Sequence, residues 1–167
     1  MGVAEFDLPE RFVSGSVGPP GQRTFFLQAR AGARLMSVSM EKEQLAVLAE
    51  RVKDLLVAAG LSAEAPAELV DNATLDAPIE DEFRVSTLAL AWDPARRLVI
   101  IEAHDRDPAD QDAAMASMRV MLTPPVAAEF ARRSQSLIAA GRPPCPLCGQ
   151  PLDPSGHICP RANGYRR

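Results

Sequence analysis

Residues 22–29 read QRTFFLQA, and residues 96–103 read RRLVIIEA. Both stretches run from a basic residue through a short apolar segment to Gln or Glu and then Ala, 74 positions apart. A second pair lies 82 positions apart: SVSMEKEQLAVLAERVKDLL at 37–56 and RVMLTPPVAAEFARRSQSLI at 119–138. The eight-residue difference falls in the acidic loop after His104. These two correspondences predict an internal duplication.

Around each apolar run the pattern is that of a strand hairpin. RFVSGSV (11–17) and TFFLQAR (24–30) flank GPPGQR, whose proline and glycine favour a reversal. AGAR makes the next turn, and LMSVSM (35–40) alternates apolar and polar residues as a half-buried strand does. From Glu41 to Ala59 the period becomes helical, with Leu45, Leu48, Val52, Leu55 and Leu56 at three- and four-residue steps and Gly60 placed to end the helix. The order recurs with FRVSTLALAWD (83–93), RLVIIEAHD (97–105), MASMRVML (115–122) and a helix from Thr123. There Thr123 is the N-cap, and Pro124 and Pro125 lie in the first turn.

The expectation is an α+β fold. Two βββα repeats, about 11–60 and 83–140, form one six-stranded, mostly antiparallel sheet with both helices on one face. The acidic stretch 61–82 reads as a connector with little core of its own. Residues 1–140 form the body, and 141–167 form a small zinc-ribbon-like tail.

The chain has 167 residues, a hydrophobic fraction of 47% and a net charge of −4. The charge is uneven. From Gly141 onward, four arginines face only Asp153, so the tail carries +3 and the body −7. No stretch approaches the ~20 apolar residues that span a bilayer, and the acidic N-terminus lacks the pattern of a signal peptide. The expected location is the cytoplasm, where clustered cysteines point to metal or redox chemistry before disulfides.

All three cysteines lie in CPLCGQPLDPSGHICP (145–160). Cys145 and Cys148 form a Cys-x-x-Cys pair followed by Gly149, and His157 and Cys159 follow as His-x-Cys. Three sulfurs and one imidazole are a tetrahedral set for one structural zinc per chain. Such a metal stabilises a segment too short to own a core. The spacing alone leaves open a redox dithiol, a metal-free tail, or a catalytic zinc in which His157 points away. Pro144, Pro146 and Gly149 oppose the helix opening that a thioredoxin-like pair needs.

CPLCGQPLDPSGHICPRANGYRR resembles the end of an actinobacterial family of conserved proteins with a domain of unknown function. RFVSGSVGPPGQRTFFLQAR is similar to the start of the same family. The resemblance covers almost the whole chain. It implies a zinc-binding C-terminus with Cys145, Cys148, His157 and Cys159 as ligands, and it implies no activity.

Other candidates are weaker. EAHDRD gathers Glu102, His104, Asp105 and Asp107 at a strand end, where a base or metal site could form, but it supplies no nucleophile or oxyanion site. GSVGPPGQR lacks the Lys-Ser/Thr ending of a phosphate loop. One Trp, one Tyr and six Phe are too few for a base-stacking face, and Trp92 reads as a packing residue. Arg161, Tyr165, Arg166 and Arg167 follow the cysteine motif directly and can meet an acidic protein surface or phosphates. The reading is a non-enzymatic zinc-containing adaptor that binds a protein partner, or nucleic acid through the basic tail, without membrane attachment. The alternative is an enzyme or enzyme subunit with its site near Glu102 and His104.

Overall fold

The computed structural model describes residues 2–19, 21–107 and 115–140. The order strand-strand-strand-strand-helix occurs twice. The first half has β1 (Val3–Asp7), β2 (Arg11–Val17), β3 (Thr24–Ala31), β4 (Arg34–Met40) and α1 (Lys42–Ala58). The second has β5 (Asp81–Arg84), β6 (Thr87–Asp93), β7 (Leu98–His104), β8 (Ser117–Leu122) and α2 (Pro124–Ala139). A short 3-10 turn, Ala67–Leu69, lies in the segment between the halves.

The expected single six-stranded sheet is corrected to two four-stranded sheets, ordered β2-β3-β4-β5 and β1-β8-β7-β6. Each contains an antiparallel three-stranded meander from one half and one strand from the other. β1 crosses to pair in parallel with β8, so that Val3 faces Ser117 and Phe6 faces Val120. β5 crosses to pair in parallel with β4, joining Ser37 to Asp81. The halves therefore exchange their first strands. Both exchanged strands are short and rich in charge, VAEFD and DEFR, with too few apolar positions to show an alternation. FRVSTLALAWD accordingly divides into β5 and β6 around Val85 and Ser86.

Both helices match the periodicity of their sequence. Glu41 is the N-cap of α1, and its backbone N–H donates to Gln44 Oε1 at 2.7 Å, one arm of a capping box. Gly60 ends the helix at φ +78°, and the Leu61 N–H donates to Leu56 O at 2.8 Å. The α2 N-cap is Thr123, with prolines in the first two positions.

The helices do not lie together on one face of one sheet. They pack on each other, and each also approaches the edge strand of the opposite half's meander, α2 at β2 and α1 at β6. Phe12, Leu27 and Val38 from the first sheet, Val99, Ile101 and Val120 from the second, and Leu45, Leu56 and Phe130 from the helices form one continuous buried cluster. Trp92 packs against that cluster, as expected of a core residue. Among the described residues no helix is long and apolar enough to cross a membrane.

Candidate functional site

The four metal-ligand candidates, Cys145, Cys148, His157 and Cys159, lie outside the described residues, as do Arg161, Tyr165, Arg166 and Arg167. Among the described residues no group of three or more His, Cys, Asp or Glu side chains is placed to hold a metal ion.

The strand end around His104 is organised by cross-strand pairing. His104 faces Ser117, and Glu102 faces Arg119, across β7 and β8. His104 Nδ1 lies 2.6 Å from Ser117 Oγ, and Nε2 lies 3.2 Å from Glu102 Oε1. Arg119 Nε donates to Glu102 at 3.2 Å, and its Nη1 donates to Glu5 at 3.0 Å. The serine, imidazole and carboxylate thus form a chain of three polar groups, the first two hydrogen-bonded and the carboxylate at ion-pair distance from the other ring nitrogen. Sequence reading missed Ser117 because its 13-residue separation from His104 gives no local motif. The chain is nevertheless turned inward. His104 is 6% exposed and Ser117 is 2% exposed, and the Ser117 N–H is already donated to Gly2 O. Asp105 is taken up locally, its Oδ1 accepting the Ala116 N–H at 3.0 Å.

A larger polar assembly forms where the connector meets the first sheet. Arg11 and Arg30 are paired across β2 and β3, and the buried Gln28 lies two residues before Arg30 on β3. Arg11 forks onto Asp71, with Nε at 2.8 Å and Nη2 at 3.1 Å, and Nη1 reaches Asp76 at 3.1 Å. Arg30 also reaches Asp76. Gln28 exchanges hydrogen bonds with the Asp76 backbone, its Nε2 donating to Asp76 O and its Oε1 accepting the Asp76 N–H. Leu75 fills the space above Gly15, so that a Cβ there would collide with its side chain. From α2, Glu129 accepts the Asp71 N–H at 2.8 Å, and Arg133 donates to Ser14 O at 2.6 Å and to Asp71 O at 2.9 Å. Ser134 Oγ meets Ser14 Oγ at 2.7 Å.

The electrostatics follow this geometry. The hydrogen bond from Arg11 holds the Asp71 carboxyl below its ordinary range, and the same bond raises the Arg11 guanidinium. Burial pushes Arg133 down from its ordinary value. Because the Asp71 carboxyl is lowered in the folded chain, its contribution to stability is present above the unfolded value and is lost as pH falls through the lowered one. The assembly holds residues 71–76 as a strap across the sheet. Its acidic composition conceals this, because the carboxylates are taken up by arginines 46 or more residues away.

Among the described residues, no segment covers the matching edge of the second sheet. α1 and β6 enclose a groove of about 500 Å³, lined by Val47, Leu48, Arg51 and Leu55 with Leu88 and Leu90. No curated protein and no solved structure matches the chain. Residues 4–159 match the family described as a protein of unknown function, DUF3090, a span that takes in both sheets, both helices and all three cysteines, and the chain belongs to that family.

Proposed function

We propose that the chain is a non-enzymatic binding protein of the cytoplasm, an adaptor whose body, residues 1–140, carries a tail built on one structural zinc. The observation that carries this reading is the donor set Cys145, Cys148, His157 and Cys159, three soft sulfurs and an imidazole in two close pairs. The metal fixes the tail, and Arg161, Tyr165, Arg166 and Arg167 meet an acidic surface on a partner protein. The inward-turned His104 and Ser117 weigh against the alternative, an enzyme with its site near Glu102 and His104, because they offer a substrate almost no accessible atom.

Metal content by inductively coupled plasma mass spectrometry, on chain purified without a chelating tag, is expected to give about one zinc per chain. Cys148→Ser is expected to release it. Stoichiometric zinc retained by that variant would sink the ligand assignment. The charge side is tested separately. The double variant Arg166→Ala, Arg167→Ala should keep its zinc and its thermal midpoint, and should lose about tenfold in affinity for the captured partner. Equal capture by the variant and the native chain rejects the basic tail as the contact surface. If nuclease abolishes capture, the partner is nucleic acid rather than protein.

A further inference from the structure

The strap between the two halves is held on the first sheet as a bound peptide is held. Among the described residues, residues 71–76 make no backbone–backbone hydrogen bond to either sheet. Side chains of β2, β3 and α2 grip their main chain instead. Arg11 Nη1 donates to Thr74 O and Nη2 to Ala73 O, each at 3.0 Å. With the bonds to Asp71 and Asp76, all five N–H groups of Arg11 end on this one segment. Gln28 meets both the N–H and the carbonyl of Asp76, as a neighbouring strand would. Glu129 and Arg133 divide the same task at Asp71.

The receiving surface belongs to the sheet, whereas the strap adds little to the core. Gln28 is 1% exposed, and the Arg11 side chain is 10% exposed. Residues 72–74 are exposed, and Ala73 and Thr74 offer Arg11 only their carbonyl oxygens. The side chains that are fitted are Asp71, Leu75 above Gly15, and Asp76. Recognition therefore follows the pattern Asp-x-x-x-Leu-Asp, with the main chain between the acids clamped whatever its side chains. Charge points the same way. Arg11, Arg30, Arg132 and Arg133 converge here, and with Asp71 and Asp76 withdrawn, Glu129 is the one carboxylate paired with them among the described residues. Forked arginines with a deficit of carboxylates select an acidic chain.

We propose that Arg11, Arg30, Gln28, Arg133 and the notch at Gly15 form a docking site for an acidic segment of a partner protein, and that residues 71–76 occupy it in cis as a built-in competitor. The partner segment carries two carboxylates and an apolar residue at the spacing of the strap. Tethering gives the strap an effective concentration of about millimolar, so that only a better-fitting segment displaces it. The site stands whether or not the chain carries zinc.

The test uses a labelled peptide, LVDNATLDAP, the sequence of residues 69–78, and fluorescence anisotropy on the full chain. The double variant Asp71→Ala, Asp76→Ala disables the tethered competitor, and it is expected to bind the peptide about tenfold more tightly than the native chain does. A peptide of the same composition in scrambled order should bind the variant about tenfold more weakly, since the spacing is lost. On the native chain, where no substitution disturbs folding, peptide at about millimolar concentration should speed exchange of the Asp71 and Asp76 amides about fivefold and leave those of β3 unchanged. Equal affinity of native chain and variant, equal binding of the two peptides, or strap amides indifferent to peptide would each overturn the proposal. Peptide binding that breaks up a dimer, seen by light scattering, would overturn it too, by making the occupant a second copy's strap.

Discussion

Arg133→Met is expected to destabilise the chain by about 3 kcal/mol, lowering its thermal midpoint by roughly 10 °C, as measured by calorimetry. The side chain is 10% exposed and serves three acceptors: the Ser14 carbonyl, the Asp71 carbonyl and the Asp71 carboxylate. Methionine keeps much of the aliphatic bulk and removes every donor. The buried Ser14 carbonyl then loses a partner, and the Asp71 carboxylate keeps Arg11 and the Ala73 N–H. Leaving a buried polar group unmet costs more than the intact bond gains, which is why the loss is large. The variant should also release the strap, so that protease cleavage between residues 61 and 80 accelerates. A midpoint within about 2 °C of native would show that α2 and the strap are held by packing alone.

Phe130→Ala should cost more, about 4 kcal/mol, in the range of large-to-small changes at a fully buried aromatic. Phe130 is 1% exposed, and its ring stacks on Phe12 with centroids 4.8 Å apart. That contact joins α2 of the second half to β2 of the first, so the cavity opens in the seam between the halves rather than within one. Urea unfolding measures the loss. Val57→Ala, at a position 64% exposed, is the matched control and should change stability by less than about 0.5 kcal/mol. Equal losses in the two variants would remove the seam as the source of stability.

Much of the fold was legible because its central strands and helices obey simple periods. RFVSGSV matches β2, and the apolar steps from Leu45 to Leu56 match the buried stripe of α1. The strand exchange was not legible. VAEFD places only Ala4 and Phe6 toward the interior, and DEFR only Phe83, too few residues to declare a strand. Their partners are chosen by tertiary closure, and no local pattern encodes that choice. The polar assembly was hidden for a related reason. Asp71 and Asp76 read as solvated acids until the fold brings Arg11, Arg30 and Arg133 to them. The zinc set is the opposite case. Its chemistry is written in sixteen consecutive residues, and all of it lies outside the described residues.

The exchange of first strands has a consequence for how the protein is made. The sheet holding β5 can close once Arg84 has left the ribosome, because all its strands lie within the first half and the start of the second. The other sheet must wait for β8, since β1 pairs with Ser117–Met121, more than 100 residues downstream. Throughout that interval Phe6, buried in the finished protein, lacks its neighbours on β8, and β1 is an unpaired strand. Contacts between residues so far apart in sequence slow folding, because the loop entropy is lost before the pairing is made. β1 therefore cannot pair before β8 exists, and synthesis halted before Leu122 leaves the second sheet without its full set of strands.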